Sequence, residues 1–335
     1  MNQILEALYL ARNLTVEAAM NDELRILFGI DDSDFSRTAL KATGRLLRDN
    51  EKMSLGLFHG YAIPNSLLAK LCPDQEKFKV YQNTLNHEAN DLLEQARELL
   101  LEAGFNERRI SVILDTNCKD PALRMLSLAE SERFATLALG RWGTASVGRH
   151  AIGSATYRVA NASERFPVWV VNPRISSRNV LICVIGASTS RPVVDHVSQY
   201  FNHLQESQFT LLHIIPPFPV EDGTVLESLQ KKPFEEQTAF FISKMEEYSA
   251  QAKEIMKYGK ERLIEAGIPE ENIVQKLQYI KQGIARDILQ ELEIGNHGIL
   301  VVGRKGAKSI GQFGLGSKAY KLLCAAHTFI ICLVN

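Results

Sequence analysis

Along the chain, apolar and polar positions alternate between two periods. Short, nearly continuous apolar runs at 26–30, 54–59, 110–114, 136–139 and 168–171 have the length of strands covered on both faces. Longer stretches with apolar residues at helical spacing separate them, at 35–48, 76–103, 121–131 and 154–165. Asp120 before Pro121 supplies an N-cap followed by proline at the first helical position, and Gly104 supplies the stop of the long second helix. The same order returns further on, with strands expected at 180–185, 209–215, 273–277, 299–302 and 329–334. Alternation of this kind predicts parallel strands joined by right-handed helical crossovers. The expected class is α/β, two tandem open parallel five-stranded sheets with helices on both faces.

The second half is a copy of the first. Residues 25–30 fall on 179–184 at an offset of 154, which also carries His59 onto His213. Gly140, Gly143, Gly153 and Ser154 fall on Gly303, Gly306, Gly316 and Ser317 at an offset of 163. The nine additional residues therefore sit in between, and the loop rich in proline and glycine at 216–223, together with the residues after it, is expected to carry them as a longer arm. The polar stretch 172–178 suits a linker. The expected organisation is a helical extension over 1–22, a first domain over 23–174 and a second over 179–335. The extension either packs against the first domain, the plainer reading, or binds a partner.

Composition narrows the function classes. At 335 residues, with 45% hydrophobic and 23% charged, the chain can build two ordinary cores. A net charge of −1 and the absence of a long Lys/Arg run argue against nucleic acid held by counterion release. Five scattered cysteines without a C-x-x-C spacing read as reduced thiols. The first residues do not read as a signal peptide, and the longest apolar stretch, 322–334, holds His327 and Thr328 and falls short of the ~20 residues that cross a bilayer. A cytoplasmic protein without membrane contact is the expectation.

Candidate chemistry lies where the fourth strand of each copy runs into glycine: Gly140, Gly143, Gly153 and Ser154 in the first, Gly303, Gly306, Gly316 and Ser317 in the second. In an open parallel sheet, ligands collect at the carboxyl ends of the strands, where helix N-termini present free N–H groups to an oxyanion. Glycine lets the backbone come close, and the serines add hydroxyl donors. Arg141 and Arg304 each follow the first glycine, as cations for the anion or as solvated charges at the domain edge. Trp142 in one loop stands opposite Lys305 in the other. A P-loop is excluded because Val302 and Ala307 occupy the positions that would need glycine, and the loose dinucleotide pattern at 314–319 has no strand directly before it. His59 and His213 are assigned no chemistry.

The spacing G-x-x-G-x9-G-S, found twice between strand and helix, resembles the universal stress protein family, in its tandem two-domain form. The resemblance implies ATP, with or without magnesium, at the glycines. It also implies that an aspartate ending strand one, here Asp31, contacts the nucleoside; Ile185 stands at that position in the second copy. Either Asp31 or Asp32 could instead cap the following helix. One complete site in the first domain is expected, with a weaker or altered one in the second. The implied role is a stress-response regulatory protein acting on an unknown protein partner. A scaffold that uses the 216–235 arm and a slow ATPase are the alternatives; neither loop contains Asp or Glu for metal-assisted hydrolysis. In this family the fifth strands pair, so the chain is expected to form an intramolecular pseudo-dimer or a dimer of such units.

Overall fold

The computed structural model describes residues 24–63, 67, 74–142, 152–175, 177–184, 187–215, 230–304 and 314–335. The extension over 1–22, most of the arm, Cys72, Gly143, Ile185, Lys305 and Gly306 lie outside the described residues. Within them the first half runs β1 (Leu24–Gly29), α1 (Asp34–Leu47), β2 (Met53–Gly60), α2 (Gln75–Glu102), β3 (Ile110–Asp115), α3 (Pro121–Ser131), β4 (Thr136–Gly140), α4 (Ser154–Ala162) and β5 (Val168–Val171). The second half repeats it: β6 (Val180–Cys183), α5 (Ala187–Tyr200), β7 (Phe209–Ile215), α6 (Phe234–Glu265), β8 (Ile273–Tyr279), α7 (Ile284–Ile294), β9 (Ile299–Gly303), α8 (Ser317–Ala325) and β10 (Ile330–Val334). At 32 residues against 28, α6 is longer than α2, so part of the insertion extends this helix instead of forming loop.

The strands form one ten-stranded sheet in the order β3-β2-β1-β4-β5-β10-β9-β6-β7-β8. Every neighbouring pair is parallel except β5 and β10, which meet antiparallel. The two expected five-stranded sheets are thus joined edge to edge, and the edge that each would expose is paired. One core layer lies between the sheet and α1, α2, α5 and α6, and the other between the sheet and α3, α4, α7 and α8. In β1, Ile26 and Phe28 enter the first layer and Leu27 the second, the alternation a strand imposes. β3 and β8 depart from the double covering expected of them. They are the outermost strands, with Val112 in one and Val274 and Leu277 in the other exposed.

Local chemistry sets the helix starts. Ser33 caps α1, its Oγ accepting from Ser36 N, and Asp74 caps α2 by accepting from Lys77 N. Asp120 caps α3 by accepting from Ala122 N and Leu123 N, with Pro121 in the first turn. Gly104, at φ +86°, closes α2 in a conformation that glycine adopts without strain. In the first half α4 differs, starting on Gly153 without a side-chain cap; in the second half α6, α7 and α8 start on Pro233, Gly283 and Gly316, also without one.

Candidate functional site

Chain direction reverses between β1 and β4: the chain leaves β1 toward β2 and β3 on one side and later fills β4 and β5 on the other. At such a switch point the loops beyond the strand ends part and leave a crevice. A cavity of about 310 Å³ opens there. Gly29, Ile30 and Asp31 reach it from the end of β1, and Leu139, Gly140 and Trp142 from the end of β4. Gly153, Ser154, Ala155 and Thr156 reach it from the start of α4. Phe58, His59 and Gly60 from β2, with Pro121 and Met125 from α3, complete the wall.

The first turn of α4 carries the polar character of this cavity. Gly153 N donates to Arg141 O at 3.0 Å, which locks the glycine loop onto the end of β4. Thr156 Oγ1 donates to Gly140 O at 2.8 Å. Without a capping side chain, the leading N–H groups of α4 lie at the cavity with the positive end of the helix dipole. Close approach is built in at Gly140, where a Cβ would stand 3.3 Å from the Ser36 Cα and 3.4 Å from the Trp142 carbonyl.

Asp31 lines the cavity and does not cap α1. Its Oδ1 accepts from Ser33 Oγ at 2.6 Å and from Ser33 N at 3.2 Å, while Ser33 takes the capping position. Asp32 pairs with Arg37. His59, left without a role by sequence reasoning, is also in the wall, its Nδ1 2.9 Å from Ile30 O. Trp142 lies against Phe35, ring centroids 5.2 Å apart, and against His327 of the second half at 6.1 Å.

The structure brings Asp31, Gly140, Gly153 and Ser154 together. It corrects the placement of the two arginines. The Arg141 guanidinium is 1% exposed and donates to Leu323 O and to Cys324 O, the latter at 2.6 Å, in the last turn of α8. Arg304, also 1% exposed, donates from Nε to Ala160 O at 3.1 Å and from Nη2 to Asn161 O in the last turn of α4. Both belong to the junction of the halves; burial pulls the pKa of each below the ordinary arginine value. In the second half Gly316 N donates to Arg304 O at 3.1 Å, the counterpart of the first loop's lock. Gly303, Gly316 and Ser317 occupy positions equivalent to Gly140, Gly153 and Ser154.

The apolar wall of Phe58, Pro121 and Met125 and the imidazole of His59 carry no assignment from the sequence. For His59 the signal was available, since it lies at the end of a strand adjacent to the switch point.

The fold is a tandem α/β one, with a helix that starts without a side-chain cap after the fourth strand of each half. The universal stress protein family model matches residues 24–172, the first half of the chain. Among solved structures, a universal stress protein from Archaeoglobus fulgidus DSM 4304 is similar at 15% identity, over 93% of this chain and 98% of that one, with a TM-score of 0.61. A functionally unknown protein from Pseudomonas aeruginosa PAO1 is similar at 13% identity, over 94% of both chains, with a TM-score of 0.52. These likenesses establish the fold across both halves. No curated protein matches the sequence. Among the described residues no helix is long and apolar enough to cross a membrane.

Proposed function

We propose that this chain is a regulatory protein that binds ATP or a related adenine nucleotide, chiefly in the cavity of its first half. The observation that carries the reading is the union, in one cavity, of an apolar wall, a carboxylate and an uncapped helix N-terminus. Phe58, Pro121 and Met125 offer the surface a base requires, and Asp31 offers an acceptor for an amino or hydroxyl group of the nucleoside. Gly140, Gly153 and Ser154 offer the phosphate its backbone and hydroxyl donors. The volume fits a nucleoside with its first phosphates held against α4.

Magnesium, where it accompanies the nucleotide, takes most of its ligands from phosphate and water. Asp31 is the carboxylate among the described wall residues, and it is engaged by Ser33. Binding rather than turnover is therefore the proposed activity, and the second half is proposed to bind more weakly. The bound state is what a protein partner would read.

The test measures nucleotide carried by the purified protein and by Gly143→Asp and Gly306→Asp variants made separately. A carboxylate in the loop repels phosphate, so the first variant is expected to lose most of the nucleotide and the second little. Equal nucleotide content in all three proteins, or none in any, rejects the reading. Phosphate release from added ATP on the same samples is expected to be near background; rapid release would convert the binder into an enzyme.

A further inference from the structure

The two arginines of the glycine loops lie in a reciprocal arrangement. Arg141, in the loop of the first cavity, clamps the C-terminal carbonyls of α8, and α8 begins at the glycine loop of the second half. Arg304, in that second loop, clamps the C-terminal carbonyls of α4, and α4 begins at the first cavity. Each helix therefore has its N-terminus at one loop and its C-terminus held by the arginine of the other. Both helices are nine residues long, rigid rods of roughly 13 Å.

A cation at the C-terminal carbonyls complements the negative end of a helix dipole just as an anion at the N-terminus complements the positive end. The clamp is nonetheless costly. Each guanidinium is buried, and each leaves a nitrogen without a partner, Nε of Arg141 and Nη1 of Arg304. Two further contacts run between the same parts. Asn161 Oδ1, at the end of α4, accepts from Leu315 N of the second loop at 3.1 Å, and the His327 ring stacks on Trp142 at an interplanar angle of 26°.

We propose that Arg304 is a positioning residue for the first cavity: by holding the C-terminal carbonyls of α4 it sets the axial position of the helix whose N-terminus lines that cavity, so that losing it weakens the ligand bound there, while Arg141 holds α8 in the same way. With Arg304 in place, the leading N–H groups of α4 stay at the first cavity. In naming the first ligand a nucleotide, the proposal rests on the function proposed for the first cavity.

The test uses the full chain and ATP, with affinity from calorimetry and amide hydrogen exchange followed over α4, at a temperature where circular dichroism shows every variant folded. Arg304→Met is expected to weaken ATP binding by about fivefold or more, the lower end of allosteric couplings, although residue 304 lies outside the cavity. It is also expected to speed exchange in the first turn of α4. Arg304→Lys, which keeps the charge and a donor, is expected to recover most of both. Should Arg304→Met fail to fold, Arg304→Gln takes its place in the comparison. Wild-type affinity in Arg304→Met, or equal losses in the Met and Lys variants, overturns the proposal. Failure of the wild type to bind ATP removes the nucleotide reading instead. Exchange in α4 then decides: unchanged rates overturn the positioning role, and faster rates in the Met variant sustain it.

Discussion

At the residue scale, the junction of the halves is where titration and packing meet. Trp169 on β5 donates from Nε1 to His196 Nε2 at 2.8 Å, and the rings of His196, Tyr200 and Phe201 surround it. Accepting that bond requires an unprotonated Nε2, and complete burial pushes the His196 pKa down to about 3. The folded value lies below the ordinary 6.5, so the stabilisation is fully present above about pH 6.5. It is lost as pH falls from there toward 3, at about 1.4 kcal/mol per pH unit for one proton. Burial lowers the pKa of His203, His213 and His297 as well, so all four contribute with the same sign. In urea unfolding followed by circular dichroism, His196→Phe should cost about 1–3 kcal/mol at pH 7.5, where it leaves the Trp169 N–H unpaired. The deficit should shrink by roughly a kcal/mol or more at pH 5.5, because the variant has one proton fewer to resist. Parallel stability curves for the two proteins between those pH values would refute the assignment.

At the element scale, the starts of the first half's helices set α4 apart from the rest of that half. In the first half α1, α2 and α3 open on a serine or aspartate that satisfies a backbone N–H, whereas α4 opens on Gly153 with none. Gly153 sits at φ −55° and ψ 139°, a conformation open to any L-residue, so the missing cap is not a backbone requirement. Gly153→Asp should therefore stabilise the protein by roughly 0.5–1 kcal/mol through capping and the dipole, raising the midpoint of thermal unfolding, while it removes nucleotide binding. A variant that binds as well as the wild type, or melts lower, would contradict this account of α4. Much of this is legible in the sequence. Val168–Val171, Phe209–Ile215 and Pro121–Ser131 read to the residue, because doubly covered strands and a capped helix with proline carry their own boundaries. β3 and β8 read as doubly covered and are not, because place in a sheet depends on topology, and a short apolar run looks the same at an edge. The glycines of the site are legible through their spacing, but Phe58 and Met125 come from elements distant in sequence. Arg141 reads toward the anion because a register fixes a position and not the direction of its side chain, whose acceptor stands 182 residues away.

At the scale of the whole molecule, the pairing of β5 with β10 makes one chain into a pseudo-symmetric dimer. Trp169 pairs with Cys332, its own counterpart at the offset of 163, so the axis relating the halves passes through that pair. The side contacts obey the same axis. Arg141 and Arg304 each hold the other half's helix end, Asn172 Nδ2 donates to Ala326 O and His327 O while Asn335 Nδ2 donates to Phe166 O, and Tyr157 meets Tyr320 edge-on at 6.0 Å. An interface of this kind is self-complementary: each half offers what it needs from the other. The first half alone, residues 23–174, would end in the unpaired edge of Val168–Val171, an apolar strand that in the whole chain is buried. Two copies would offer one another that edge. Arg141 of each copy would meet the carbonyls of Ala160 and Asn161 that Arg304 uses in the whole chain. This fragment is therefore expected to sediment as a dimer at micromolar concentration, whereas one that stays monomeric and folded would show that the junction depends on the unlike residues around Trp169. Arg141→Met in the fragment should weaken the dimer by about tenfold or more, each factor of ten being about 1.4 kcal/mol, because helix-end carbonyls on both sides lose their donor. An unchanged dimer would assign the pairing to the strands alone.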